Sequence, residues 1–456
     1  MTPPEVSADA GRVSTAERVG AFRSTPDVQL GLSSAAFLGS NLARAAIGFG
    51  LTLAIGRGLG AHRFGQWVLC TTWASLLTVV ADLGFGVLLT RDGARPGAPV
   101  ARLVGGALLL RLAVVVPLGA ILYACAGRLS ADAESIAGLR VAALLGIAGA
   151  AYGCFGAMLQ SQARWLPTVL GLETVWLAVQ LAGSWWLVQV GAGGAGAAGA
   201  ARRELVALMT LALCVQVAQI ATAMVLWRTV FGIRPRTHEE GEPLMMLMRR
   251  ALPFAASGIV ANLQSRVAPL MLGGLSTSSE VGLFAAASRV GRLARLAPQA
   301  VFGGALPVLS HEFGRDRAEA QRLFSRLDRA LLGFGASVAG ACLLAAPALL
   351  RIIYGSSFIA AAPALMWVGI GLIPALSNSG RQIALYAAGG EALVVRWTAV
   401  ALIVQVASAL VLIPLMGSTG AAVSIAVAEA AVWLPLRRAR KTRIDRDLHL
   451  ALPTSA

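Results

Sequence analysis

Apolar residues in this chain come in long unbroken runs, not in alternation. Runs of about 20 residues suit single helical crossings of a membrane, whereas membrane strands would alternate over about ten. The pattern predicts spans near 30–55, 66–90, 103–125, 136–160, 166–190 and 204–228. A second set of six is predicted near 251–272, 280–309, 329–352, 361–388, 392–414 and 417–436. The expected fold class is therefore an all-α polytopic membrane protein with about 12 transmembrane helices. No segment between the spans is long enough for a large soluble domain.

The domain reading follows: a tail over 1–28, a first six-helix unit over 29–228, a linker over 229–250, a second unit over 251–436 and a basic tail over 437–456. The first tail is rich in Pro, Ser and Thr and lacks the pattern of a cleaved signal peptide, so span 1 is expected to be retained. HEFGRDRAEAQRLFSRLDR (311–329) places Phe313, Ala320, Phe324 and Leu327 on one helical face and predicts an amphipathic surface helix. PLMMLMRR (243–250) predicts another before span 7. Pro298, Pro307, Pro363 and Pro374 are expected to kink spans 8 and 10.

Composition supports the membrane class: of 456 residues, 57% are hydrophobic and 13% charged. The net charge of +16 would suggest nucleic acid in a soluble protein. Here 24 Arg or Lys fall in alternate connections and tails on one side, against 6 on the other, so the charge reads as orientation. Both termini are expected to be cytoplasmic, beside anionic membrane lipid, with no nucleic-acid partner. The five cysteines lie within apolar runs and form no CxxC pair, and the four histidines show no metal-ligand spacing. Neither a metal site nor a cofactor is expected.

Basic residues also lie inside the spans. Arg289, Arg292 and Arg295 occur three apart in VGLFAAASRVGRLARLAPQAVFGG, so they cover about 120° of one helix face. Arg44, Arg111, Arg140, Arg266 and Arg381 are also embedded, whereas the spans supply few acids: Asp82, Glu173 and Glu429. An arginine facing lipid costs about 2.5–3.5 kcal/mol, so these should face protein or water. Guanidinium forks match phosphate oxygens bidentately, which makes Arg289, Arg292, Arg295, Arg44 and Arg266 candidate ligands for an anionic headgroup. The competing reading is that they snorkel or cap helix ends. Asp82 reads as a latch to Arg91 or a loop arginine, or as a titrating group. Glu429 reads as a proton-coupling group or as a partner of an arginine.

The two sets of six share features. GLGAHRFGQW (from Gly58) and GLSTSSEVGLF (from Gly274) both give Gly-Leu, a polar turn, then an apolar residue, Gly, any residue and an aromatic. VGAGGAGAAGA and LMGSTGAAVS, six spans apart, are both Gly-rich turns.

With IGRGLGAHRFGQW (55–67), ADLGFGVLLTR (81–91), LMRRALPFAASGI (247–259), VGLFAAASRV (281–290), IIYGSSF (352–358) and GSTGAAVSIAVAE (417–429), the chain resembles the oligosaccharide flippases. These are the O-antigen and polysaccharide exporters of the multidrug/oligosaccharidyl-lipid/polysaccharide superfamily. The resemblance implies two six-helix lobes around a central cavity in a bacterial inner membrane. It also implies a lipid-linked oligosaccharide as the transported partner, with polysaccharide assembly proteins as further partners. Members often carry an acidic-basic pair before the turn into span 8, where this chain has Ala268-Pro269, so an ion-coupling role for that pair is not carried over. A multidrug exporter of the same superfamily is the alternative, opposed by the arginine-rich interior. A membrane glycan polymerase or ligase is a third reading, opposed by short, chemically poor outside connections.

Overall fold

A hydrocarbon environment leaves backbone N–H and C=O groups no water, so apolar runs satisfy them within helices. The computed structural model describes the backbone of residues 26–450 apart from 96–97, 163–164, 194–203, 233–243, 316 and 388–389. Among the described residues the regular structure is helical, without strands.

Spans 1 and 2 form one helix, Pro26–Asp82, bent at Gly60, whose φ of 71° is open to glycine at little cost. Spans 11 and 12 likewise share Glu391–Leu450, bent at Gly417 (φ 55°). Spans 3 to 6 are Val100–Leu129, Ala133–Gln160, Leu166–Gly193 and Glu204–Phe231. Spans 7 to 10 are Leu244–Leu275, Ser278–Arg315, Arg317–Ile353 and Ala362–Ala387, the last preceded by a 3-10 turn, Ser356–Ala361. Eight described helices are long and apolar enough to cross a membrane, and two of these are the bent ones. Spans 7 and 8, which carry Arg266 and the arginine row, are not among the eight. The two bends raise the eight to ten passes, and spans 7 and 8 complete the expected twelve in two lobes of six.

Three local expectations change. Residues 317–329 do not form a separate surface helix. They are the first turns of span 9, and Phe324 is buried beside Ala384 of span 10. An apolar helical face meets a neighbouring helix there, not lipid headgroups. Phe313 and Ala320 lie outside the residues whose side chains are described. Residues 244–250 run straight into span 7, where Leu247 packs in the first lobe's core and Arg250 pairs with Asp92. Pro363 stands in the first turn of span 10, where its missing N–H was unpaired anyway, so it does not interrupt the helix. Pro374 lies inside that helix, and the backbone of span 8 stays helical through Pro298 and Pro307.

The lobes meet mainly where the span 1–span 2 helix crosses span 8. At the bundle end bearing the Gly60 bend, cross-links seal that meeting. Arg57 donates to the carbonyl of Ile353 (2.6 Å) and His62 bonds Ser279 (3.3 Å), while within the first lobe Arg63 pairs with Glu204 (3.1 Å). The Glu280 carboxylate accepts from the Ser418 amide (2.6 Å), so it caps the first turn of span 12 where a negative charge is favoured. Beneath them Phe64, Trp67, Tyr354 and Phe358 form an aromatic plug, with Phe64 5.9–6.0 Å from the other three ring centroids.

Candidate functional site

Below the plug lies a cavity of about 460 Å³ between span 2 and the second lobe. Span 2 contributes Thr71, Thr72 and Ser75; span 7 contributes Gln264 and Arg266; span 8 contributes Arg289, Arg292 and Arg295. Gln405 and Glu429 approach from spans 11 and 12. The three-residue spacing read from the sequence thus becomes a single row along one wall. The same row borders a second space of about 420 Å³, lined mostly by apolar groups: Ala45, Gly48 and Phe49 of span 1 with Leu293 and Leu296.

The environment of each arginine differs. Arg289 extends toward the plug, its guanidinium carbon 5.2 Å from the ring centroids of both Phe64 and Trp67. Its Nη1 is buried and has no hydrogen-bond partner. Aromatic faces attract the cation without neutralising it. Arg292 is exposed to the cavity, and Arg295 borders both spaces. Among the described residues none of the three makes an ion pair. Arg266 bridges the lobes through Ser75 (3.0 Å) and is braced by Asn262 (2.9 and 3.1 Å), again without a carboxylate.

The other embedded arginines have been neutralised or shielded. Arg44 pairs with Glu173 (2.5 Å), which also accepts from Tyr152 (2.8 Å) and Gln160 (3.1 Å). Arg44 thus has a carboxylate partner within the first lobe, unlike the row. Arg111 pairs with Asp82 and donates to the Ala150 carbonyl (3.3 Å). Asp82 thus has its partner in span 3, while Arg91 bonds Asp92 (2.9 Å). Asp82 also accepts from the Gly86 amide (3.2 Å), bracing the Leu83–Gly84 break that starts the short helix Phe85–Gly93. Arg381 holds Asp328 (3.3 Å), the Trp433 carbonyl (2.9 Å) and the Trp433 ring. Arg140 lies over Tyr123. What remains without a carboxylate in the cavity is the span 8 row with Arg266.

Among the described residues Glu429 has no arginine partner. Asn378 Nδ2 donates to its Oε2 (2.9 Å) and to its backbone carbonyl (2.8 Å). The sequence reasoning missed Asn378, Gln405 and Gln264, because polar amides inside apolar helices carry no spacing signal. Their cue is rarity in a membrane span, where such groups need partners. Among the described residues no group of three or more His, Cys, Asp or Glu could hold a metal ion.

The same helix arrangement is found in solved structures. An inward-facing multidrug resistance MATE family transporter of the MOP superfamily matches with a TM-score of 0.68 at 13% identity, covering 91% of this chain and 96% of that one. The lipid II flippase MurJ, in an inward closed conformation, matches at 0.66 and 12% identity, covering 88% and 86%. An outward-facing MATE family transporter matches at 0.58 and 13% identity, covering 96% and 99%. At these identities the likeness is one of fold. No curated protein sequence matches the chain. The family model described as polysaccharide biosynthesis protein matches residues 33–311, more than half of the sequence, and the chain belongs to that family.

Proposed function

We propose that this multi-pass membrane protein is a non-enzymatic flippase that moves a polyprenyl-diphosphate-linked oligosaccharide from the inner to the outer leaflet for cell-surface polysaccharide synthesis. The observation that carries the reading is the span 8 row: three guanidiniums on one cavity wall, none with a carboxylate partner, in a molecule that pairs Arg44, Arg111 and Arg381 with acids. A diphosphate supplies the missing negative charge, and planar forks hold its oxygens bidentately. Arg266 adds a fourth donor from span 7. The apolar space between spans 1 and 8 adjoins the row, so a prenyl tail can lie there while the headgroup sits in the cavity.

The basic side of the bundle is taken as cytoplasmic, with both termini there. The sealed end with the aromatic plug then faces outward, and the cavity is reached from the inner leaflet. A higher TM-score to the inward-facing MATE structure than to the outward-facing one agrees with that state. A cationic drug as cargo is disfavoured by the unpaired cations lining the cavity.

The test is export of the lipid-linked glycan in a flippase-deficient host, with membrane protein level measured alongside. Arg292→Gln removes charge but keeps a polar side chain, so substrate binding should weaken by about 1.5–3 kcal/mol. Changing Arg289, Arg292 and Arg295 together to Gln should abolish export at normal protein level. Full export by that triple variant would make the row structural.

A further inference from the structure

Next to the arginine row, within the second lobe, is a smaller chamber of about 190 Å³ that shares Gln264, Arg295 and Glu429 with the main cavity. Its remaining polar lining comes from Asn378, Ser379, Gln382, Tyr386 and Thr398. Asn378 is only 1% exposed, yet its Oδ1 has no hydrogen-bond partner. The orientation of that amide is determined by its neighbours: the Glu429 carbonyl and carboxylate are both acceptors, so Nδ2 must face them and Oδ1 must face away. A buried acceptor left unpaired is costly, and a bound water or a ligand hydroxyl beside it would offset that cost.

The rest of the chamber also offers acceptors. The hydroxyl hydrogens of Ser379 and Thr398 are given to the carbonyls of Ala375 (2.9 Å) and Val394 (2.8 Å), so their oxygens remain able to accept. Among the described residues Glu429 Oε1 has no partner, whereas Oε2 is held by Asn378. With Arg295 at the border to the main cavity and amides and hydroxyls beyond it, this lining suits a molecule rich in hydroxyl groups. At ~30 Å³ per water the chamber holds about six waters, which is room for one monosaccharide ring.

We infer that this chamber is a subsite for the sugar residue attached directly to the diphosphate, and that it selects a neutral, hydroxyl-bearing sugar over an acidic one. The inference rests on the flippase reading, since Arg295 must hold the phosphate that delivers the sugar to the chamber. Its carboxylate is the selective element: Glu429 accepts from sugar hydroxyls and repels a uronate.

The test uses the full-length protein in detergent and three probes: farnesyl diphosphate, the same lipid carrying one N-acetylglucosamine, and the same lipid carrying one glucuronic acid. The N-acetylglucosamine probe should bind about tenfold more tightly than bare farnesyl diphosphate, the scale of one or two net hydrogen bonds. The glucuronic acid probe should show no such gain. Asn378→Leu, Gln382→Leu and Thr398→Val should each reduce the gain while leaving affinity for bare farnesyl diphosphate unchanged. If Asn378→Leu does not fold, the other two carry the test, because neither removes a bond to Glu429. Equal affinity of the wild type for bare and glycosylated lipid overturns the subsite but leaves the flippase reading intact. Sodium-dependent binding of bare lipid with no sugar preference would make the chamber a cation site and also overturns it. No binding of farnesyl diphosphate at all overturns the flippase reading and the subsite with it.

Discussion

Gly65 and Gly282 face each other across the lobe boundary, and neither helix leaves room for a side chain on the other. A β-carbon on Gly65 would lie 1.7 Å from the Ser278 carbonyl oxygen, and one on Gly282 would lie 2.0 Å from that of Ala61. The two glycines occupy matching places in the repeated turn motifs, Phe-Gly-Gln-Trp and Val-Gly-Leu-Phe. A duplicated six-helix unit thus brings two copies of the same motif together, and both copies need glycine because backbone meets backbone there. Directly below this crossing sit the aromatic plug and Arg289.

Gly282→Val should force spans 2 and 8 apart at the sealed end, because the obstacle is a carbonyl oxygen on rigid helix and not a mobile side chain. Ala286, one turn deeper, is fully buried. In a cysteine-free background, Ala286→Cys should therefore resist a membrane-impermeant thiol reagent added outside, and Gly282→Val should make it reactive. Unchanged protection would mean that the seal does not depend on this close approach.

Arg289 contacts the first lobe through the faces of Phe64 and Trp67. A desolvated cation–π contact is worth up to about 2 kcal/mol. A double-mutant cycle of Arg289→Gln and Trp67→Leu, read by thermal unfolding in detergent, should give a coupling of about 1–2 kcal/mol. Additive effects would mean that the stacking contributes nothing to keeping the end closed. The geometry gives the coupling a functional meaning as well. Separation of the lobes would take the rings away from Arg289 and leave its guanidinium free for phosphate.

Helix positions were legible because lipid imposes one rule on every span; the bend at Gly60 falls in the polar turn GLGAHRFGQW and the bend at Gly417 in the Gly-rich turn LMGSTGAAVS, while most of VGAGGAGAAGA lies outside the described residues. The arginine row was legible because its members share one helix and its periodicity. The partners of the other arginines were not, since Arg44 and Glu173 lie 129 residues apart and Arg381 and Asp328 lie 53 apart. Local spacing says nothing about such pairs. The apolar face around Phe324 shows a different limit. Periodicity identifies a face that must be covered, but it does not say whether lipid or Ala384 covers it.

Arg44 and Glu173 give the sharpest separation between a cation that serves substrate and one that serves the fold. The pair is partly buried, with Arg44 at 36% and Glu173 at 13% side-chain exposure, and Tyr152 and Gln160 complete the carboxylate's hydrogen bonds. Arg44→Gln leaves that carboxylate short of its only ionic partner among the described residues, so stability should fall by about 1–3 kcal/mol. Adding Glu173→Gln removes the stranded charge and should restore most of the lost stability. Export should follow protein level in both variants, because no phosphate contact is lost. Arg292→Gln should show the opposite pattern, with normal stability and lost export that no change in the first lobe repairs. If the Arg44→Gln, Glu173→Gln double variant accumulates normally but does not export, Arg44 belongs with the substrate and its pairing with Glu173 is only the resting arrangement.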